Sequence, residues 1–349
     1  MEDDRSTPST ITSVDVAKAA GVSQSTVSLV MSGKWAGRVS PRTRTLVQQT
    51  ADRLGYRPNA LAQVLRTGNG QMLALAVPNV THPFFGAVLV AADLAAREHG
   101  YAVTLIDTTS DPLWAERMLE MLGSRLLAGC IVYAGDDEPS SLLASRTDRV
   151  LLVEAEDGGQ GLLDIDIGRG VRAVVEHLTG LGHRRIGYFA ADYPKATYRR
   201  RFTSFVDELA AAGLPFEPHW RTASTFDVET ATRRGRALLE RADVTAVFCD
   251  DDLLAAALYR ACTQIGRTIP DALSVVGFDD IELARLLNPE LTTVAIPAEA
   301  LGRSAVELLL GKLHPGGGEL ARPLVTKLEL KIRGSTAAVR DNGDRRAGR

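Results

Sequence analysis

The chain has 349 residues, 45% of them apolar and 24% charged, which is enough for two or three domains and an ordinary make-up for a globular protein. No apolar run reaches the roughly 18 residues that would cross a bilayer, and the opening MEDDRSTPST is too acidic and polar to read as a secretory leader. Between Thr10 and Gly70 stand eight basic residues and two acidic ones, a net +6; this leaves −9 for the rest of a chain whose total is −3, so a basic module that meets a polyanion sits on an acidic body that does not.

Thr12 and Asp15 have capping-box spacing and predict a helix from Ser13, with Val16, Ala17 and Ala20 on one face and Gly21 ending it. Ser23 caps a second helix, Gln24 to Met31. Its Val27 and Val30 face inward, and Gln24, Ser25 and Ser28 are presented outward as short hydrogen-bonding groups able to approach base edges. Helix, glycine-containing turn and helix make a helix-turn-helix, with Val22 pinning the turn. Ser40-Pro41 opens a third helix with Leu46, Val47, Thr50 and Leu54 inward and Gly55 at its end. In YRPNALAQVLRTG, Asn59 can cap a helix of about seven residues, too short to be stable alone in water. This segment is expected to fold in the minor groove of DNA, with Leu65 wedged between base steps; the alternative is a plain linker.

Beyond Gly70 short apolar runs alternate with helical patterns. Leu73–Pro78, Val103–Asp107, Gly129–Tyr133 and Arg149–Glu154 read as buried parallel strands, with helices over Phe85–His99 and Leu113–Leu126. A second set follows at Arg185–Ala190, Ala246–Asp250 and Ser274–Asp280. Two doubly wound α/β subdomains are expected, with a ligand cleft between the carboxyl ends of their strands. Asn79, the acids Asp250, Asp251 and Asp252, and the pair Asp279 and Asp280 fall at such strand ends, where carboxylates suit sugar hydroxyls. Phe84, Phe85 and Phe226 offer apolar faces to a ring. Competing readings stand beside these: Asp252 and Asp280 as helix caps, and Phe85 as core. Neighbouring acids point in different directions and no histidine partner is visible, so no metal is expected; no other cofactor is implied. Cys130, Cys249 and Cys262 sit singly in apolar surroundings and read as buried thiols.

VDVAKAAGVSQSTVSLVMSG, followed by VSPRTRTLVQQTADRLGYRPNALAQVLRTG, resembles the headpiece and hinge of the lactose-repressor (LacI/GalR) family. VPNVTHPFFGAVL, HLTGLGHRRIGYFA, SVVGFDD and LTTVAIPAEALGRSAVELLL resemble the effector-binding core of the same family, whose fold is shared with periplasmic sugar-binding proteins. The resemblance runs from about Ile11 to Thr336. It implies a helix-turn-helix domain at 10–57, a hinge at 58–70, and a core at 71–338 flanked by tails at 1–9 and 339–349. The core would divide into one subdomain of about 71–167 with 297–323 and another of about 168–296 with 324–338, the chain crossing near Ile167, Ile296 and Pro323.

By that resemblance Gln24, Ser25 and Leu29 read the operator. The full DNA-contacting set expected is Thr12, Ser13, Ser23, Gln24, Ser25, Thr26, Ser28, Leu29, Asn59, Ala62 and Leu65. Phe84, Phe85, Asp166, Arg201, Phe226, Asp251 and Asp279 are implied around the effector, joined by Asn79 and His82. The chain departs from relatives at Leu29, where many carry arginine, and at Asp251 and His82, where asparagine is usual; Asp166 is followed by Ile167 rather than asparagine. The tail RDNGDRRAGR has no leucine heptad, so the resemblance implies a homodimer on a pseudo-palindromic double-stranded operator rather than a coiled-coil tetramer. The expected function is a cytoplasmic, nucleoid-associated transcriptional regulator, a repressor controlled by a small molecule, with a sugar favoured over a purine-type corepressor by the acidic cleft. A solute-binding protein fits the body but not the basic headpiece. The sequence has no P-loop, GxSxG or paired catalytic motif, so an enzyme is not expected.

Overall fold

The computed structural model describes residues 11–57, 70–133, 142–143, 148–154, 163–314 and 324–339. Asn59, Ala62 and Leu65, with the expected hinge helix, and the tail Arg340–Arg349 lie outside the described residues. The chain divides into two compact units, Met1–Gly70 and Gln71–Arg349.

The first unit holds α1 (Ser13–Ala20), α2 (Gln24–Met31) and α3 (Pro41–Leu54). Thr12 and Asp15 close the capping box, and Ser23 and Ser40 cap α2 and α3 by accepting from Thr26 N and Thr43 N. Gly21 and Gly55 end their helices in the left-handed conformation, at φ 64° and 68°. The core is small: Val16, Ala17, Ala20, Val27, Val30, Val47 and Ala51. Leu46, expected inward, is 45% exposed. The buried stripe of α3 is Val47, Thr50 and Ala51, with Leu54 packed at its edge, and Leu46 lies about 100° around the helix from Val47. Arg44 is spent internally, its guanidinium 4.0 Å from the centre of the Trp35 ring.

Among its described residues the second unit contains two six-stranded sheets. The first has the order β11-β5-β4-β3-β1-β2 and is parallel throughout: β1 (Met72–Val77), β2 (Ala102–Asp107), β3 (Gly129–Tyr133), β4 (Val150–Val153), β5 (Leu163–Ile165) and β11 (Leu324–Thr326). The second has the order β12-β10-β9-β8-β6-β7: β6 (Ile186–Ala191), β7 (Arg221–Ser224), β8 (Ala246–Cys249), β9 (Ser274–Asp279), β10 (Thr292–Ala295) and β12 (Glu329–Lys331). Only β12 runs antiparallel, against β10, so each layer is the doubly wound parallel sheet that strand–helix alternation predicts. Leu73, Leu75, Val77, Ile131 and Leu151 of the first sheet and Tyr188, Phe248 and Phe278 of the second are buried in the core.

The helices that position the site are α4 (Pro83–Glu98), α5 (Trp114–Gly123), α6 (Ile167–Gly180), α7 (Ala196–Ala211), α8 (Val228–Arg241), α9 (Asp252–Gln264), the short α10 (Leu283–Leu286) and α11 (Ala298–Leu313). The chain passes from the first sheet to the second after β5, returns after β10, and passes over again between β11 and β12. The last passage corrects the expected boundary at 323/324. Residues 324–326, expected in the second subdomain, pair with β5 at the edge of the first sheet, because Leu324–Thr326 continues its parallel register. Helix α11 packs tightly on α4: a Cβ at Gly302 would lie 2.3 Å from the Val88 carbonyl oxygen, so only glycine fits there. The three cysteines are free and buried. No helix among the described residues is long and apolar enough to cross a membrane.

Candidate functional site

Two surfaces carry the residues singled out above. On the first unit, the amino-terminal turn of α2 is a cluster of short polar groups. Ser23 Oγ lies 2.8 Å from Ser25 Oγ and 2.9 Å from Thr26 Oγ1, and Gln24 Nε2 donates to Ser13 Oγ at 3.0 Å. Gln24 and Ser25 are exposed, while Ser28 and Leu29 are half-buried on the same helix. Thr12 is held by Asp15, whose carboxylate accepts from both its N–H and its hydroxyl. Those two hydrogen bonds hold the Asp15 carboxyl below its usual range. Lys18, Lys34, Arg38, Arg42 and Arg53 are exposed around these helices. A glutamine at a helix start can present donor and acceptor together to an adenine edge, and exposed Lys and Arg can neutralise phosphates.

In the second unit the carboxyl ends of both sheets border a cleft whose empty space, open solvent included, is about 590 Å³. From the β1–α4 connection come Asn79, His82, Phe84 and Phe85; from β3 comes Tyr133, and from the end of β4 Glu154. The second sheet and its helices supply Tyr193, Lys195, Thr197, Tyr198 and Arg201, then Phe226, then Asp279. Ile296, where the chain passes back to the first layer, completes the wall. The backbone is bent into uncommon conformations at this rim: Glu154, Asp279 and Asp280 have φ of 60°, 105° and 56°. Left-handed non-glycine residues cost of order 1–3 kcal/mol each and cluster where a site needs a particular aim.

Polar partners in the cleft come from far along the chain. His82 caps α4: its Nδ1 accepts from Phe84 N at 3.3 Å, so the ring proton belongs on Nε2, which donates to Asp251 Oδ2 at 2.7 Å. Both side chains are buried, and the bond ties the first layer directly to the second. Asp251 also caps α9 by accepting from Leu253 N at 2.7 Å. Asp279 lies 4.0 Å from His82 and 3.9 Å from Arg201. Burial first, and the Asp251 charge next, hold the Asp279 carboxyl well above its usual range, so it carries a proton toward Asp251. Burial likewise raises Glu154, and pushes Asp250 up to about 6. Arg201 is buried with its guanidinium 3.7 Å from the Phe278 ring centre; it donates to the Asp250 carbonyl and lies 3.4 Å from Thr197 Oγ1. Tyr133 Oη and Arg201 Nε, both buried, have no hydrogen-bond partner among the described residues. Phe226 stacks on Tyr193 at 5.0 Å and meets His82 at 5.3 Å, which gives the cavity an aromatic wall.

The structure brings Asn79, His82, Phe84, Phe85, Arg201, Phe226 and Asp279 to the cavity wall; Asp251 stands behind it, reaching it through His82 and Asp279. Asp166 does not line the cavity. Its carboxylate is used to cap α6 by accepting from Arg169 N at 3.0 Å. The expectation that the consecutive acids have no histidine partner is corrected by His82, 169 residues from Asp251. The three acids do diverge: Asp250 accepts from Tyr188 and Ala191, and Asp252 from Thr293 and Ile281. Asp252 and Asp280 are not caps; Asp251 is the cap, and Asp280 pairs with Arg333 at 2.6 Å. Tyr133, Glu154, Tyr193, Lys195, Thr197 and Tyr198 were not singled out in the sequence as site residues, and Ile296 was named only as a crossing point. Tyr133 and Glu154 end recognised strands, and that position was the available signal.

The ligand atoms of His82, Asp251 and Asp279 lie within 4.8 Å of one another, the spacing of a metal site. The hydrogen bonds argue against one. A metal-bound histidine donates its other ring N–H outward, whereas Nδ1 of His82 is itself an acceptor.

Comparison with known proteins finds matches in both units. Residues 12–59 match the family of bacterial regulatory proteins, lacI family, and residues 175–336 match a periplasmic binding protein-like domain. The chain is 30% identical over 330 residues to the HTH-type transcriptional regulator DegA of Bacillus subtilis, covering 93% of this chain and 97% of that one. Among solved structures it is similar to the lac repressor dimer bound to operator and the anti-inducer ONPF, with a TM-score of 0.83, 25% identity, and coverage of 94% of this chain and 99% of that one. It is also similar to the transcriptional regulator CelR in complex with cellobiose, with a TM-score of 0.69, 28% identity, and coverage of 93% and 99%.

Proposed function

Because the chain belongs to the lacI family of bacterial regulatory proteins, it is a DNA-binding transcriptional regulator, and we propose that it is a dimeric repressor whose operator affinity is set by a carbohydrate held in the core cleft. The observation that carries this reading is the cleft walled from both sheets, behind whose wall the His82–Asp251 hydrogen bond joins the two layers. A ligand there touches both layers at once, so it changes how they close on one another. The cellobiose complex of CelR supports a carbohydrate as the class of effector.

In this reading α2 lies in the major groove. Gln24 exchanges its bond to Ser13 for a base edge, Ser25 and Ser28 add hydroxyls, and Leu29 offers an apolar contact to a thymine methyl. Ser13, Ser23 and Thr26 approach the backbone beside them, with Thr12 at the start of α1, and the exposed Lys and Arg residues bind phosphates. Asn59, Ala62 and Leu65 act in the minor groove. Two copies dimerise through the core, where Val90 and Leu94, one helical turn apart on α4, are 61% and 55% exposed. The cleft senses without turnover, and the protein works at the nucleoid.

Coupling between the two sites is reciprocal: operator changes effector affinity by the factor by which effector changes operator affinity. Duplexes selected from fragmented host genome at two salt concentrations should yield a recurring pseudo-palindrome, and sequence-blind binding would overturn the headpiece reading. Titrating effector with and without that operator tests the coupling, and equal affinities would refute it. The aromatic wall of Phe226 and Tyr193 also suits a planar purine, so purine nucleosides belong in the same titration.

A further inference from the structure

Counting those just behind its wall, carboxyl groups outnumber cations in the cleft. Glu154 reaches it from β4 and Asp279 from β9; Asp251 stands behind Asp279, and Asp250 lies behind Arg201. The cations on its wall are Arg201, from α7, and Lys195, just before α7. His82, from the β1–α4 side, adds no charge in the hydrogen-bonding state described, because its Nδ1 accepts from Phe84 and its one proton is donated to Asp251. The remaining wall from β3 and the β7–α8 turn is uncharged, namely Tyr133 and Phe226. Carboxyl groups in and behind this buried wall thus outnumber its cations, with Arg200 acting on Glu154 from outside it; burial keeps Asp279 protonated, and a positive partner is what would let it ionise. Two buried polar atoms, Tyr133 Oη and Arg201 Nε, are also left without partners among the described residues, which marks the cleft as built around a ligand.

We propose that the effector is an amino sugar, its protonated amine held by Asp279 and Glu154 with Asp251 behind them, and one face of its ring against Phe226. The ammonium supplies the cationic partner that lets the buried Asp279 carboxyl ionise. The Tyr133 hydroxyl and the Arg201 Nε–H then meet the neutral oxygens of the ring. An ammonium beside an aromatic wall gains further from the ring faces. The raised Asp279 carboxyl agrees with this: a cationic ligand beside it displaces its proton, and a neutral sugar does not. The inference rests on the carbohydrate reading above and narrows it.

The test is a thermal-shift and calorimetric comparison on the full-length protein. The probes are glucosamine, galactosamine and mannosamine, each beside its parent hexose and its N-acetyl form, with purine nucleosides and the chlorides of zinc and manganese as further arms. One amino sugar should bind at least about tenfold more tightly than its hexose and N-acetyl counterparts. At about pH 6, where the amine is charged, its binding should release protons, seen as a heat that depends on the buffer. Asp279→Asn, checked for cooperative unfolding, should shrink the preference to below about threefold; Glu154→Gln tests the same point if that variant does not fold. A neutral hexose that binds as well as any amino sugar would overturn the inference and leave the carbohydrate reading standing. Purine nucleosides binding where no sugar does would overturn both. Stabilisation by zinc or manganese alone, lost in His82→Gln, would replace the amine with a metal, and no response to any amino sugar would also overturn the inference.

Discussion

The headpiece and the cleft use side-chain oxygens in opposite ways. In the headpiece each cap is local: Thr12 with Asp15, Ser23 with Thr26, Ser40 with Thr43, always three residues apart and exposed. In the cleft the partners are distant and buried: Tyr188 with Asp250, Thr293 with Asp252, His82 with Asp251. A local exposed cap adds about 1 kcal/mol and fails alone. A buried network shares its charges, so altering one member leaves another uncompensated. The difference suits the two tasks, since a headpiece must only hold a reading helix in shape, whereas a sensor must feel one added ligand across both layers.

The largest test of that contrast is in the aromatic core beneath the cleft. Phe248 is fully buried and meets Tyr188, Phe205 and Phe278 at ring distances of 5.5, 5.7 and 6.3 Å. Phe248→Ala should cost about 3–5 kcal/mol, because its neighbours are fixed on the second sheet and on α7 packed against it and cannot collapse into the space. Urea unfolding followed by tryptophan fluorescence measures it. A loss near 1 kcal/mol would mean that the core is as forgiving as an exposed cap.

The response to pH should separate the two regions by sign. The proton on Asp250 is held more tightly folded than unfolded, with a folded value of about 6 against an ordinary 3.8. Its contribution to core stability is therefore complete below about pH 4, lost as pH rises toward 6, and on the order of 3 kcal/mol in total. Asp252, Asp279 and Glu154, raised chiefly by burial, act in the same direction. Asp15 is the reverse: its hydrogen bonds with Thr12 lower it, so its support of the headpiece is present at neutral pH and lost as pH falls through the carboxylate range. Unfolding curves of Asp250→Asn and Asp15→Asn against pH should each flatten one of these opposite slopes. Two slopes of the same sign would break the contrast.

The same contrast explains what could be read from the sequence. Local devices are legible because their parts are close together: the Thr12–Asp15 box, Gly21, Ser23 and the Ser40-Pro41 pair all stand where their spacing predicts. Long buried strands are legible too, as in Met72–Val77 and Ser274–Asp279. Strands of three or four residues with polar content, such as RTAS at Arg221–Ser224 and ELK at Glu329–Lys331, carry no run to recognise. In the cleft, strand-end position pointed to Asp279 and aromatic character to Phe226, and resemblance supplied Arg201. It also supplied Asp166, which this chain uses as a cap, and it gave no hint that His82 meets Asp251 across 169 residues.

Glycine offers a smaller test. A Cβ at Gly302 would lie 2.3 Å from the Val88 carbonyl and 3.1 Å from Ala92 N, both backbone atoms of α4. Gly302→Ala should force the two helices apart at a cost of about 1–3 kcal/mol. Gly21 in the headpiece has open space and is needed only for its φ of 64°, so Gly21→Ala should cost about 1 kcal/mol. Equal losses would mean that α4 and α11 can part without strain.

The smallest effect sharpens the contrast most, because it isolates a single local bond. Ser40 Oγ accepts from Thr43 N at 3.1 Å and lies 2.8 Å from Thr43 Oγ1, and the side chain is exposed at the start of α3. Its partners lie within one turn, so Ser40→Ala removes one cap and disturbs nothing else. It should lower the stability of the headpiece by about 1 kcal/mol. Ser40→Gly should cost only a few tenths, since glycine is also tolerated at this position. Operator affinity should fall no further than the lost folded fraction requires, and effector affinity should stay unchanged. If the alanine variant lost several kcal/mol, or weakened effector binding in the absence of DNA, the cap would be part of a wider network and the headpiece would share the long-range logic of the cleft.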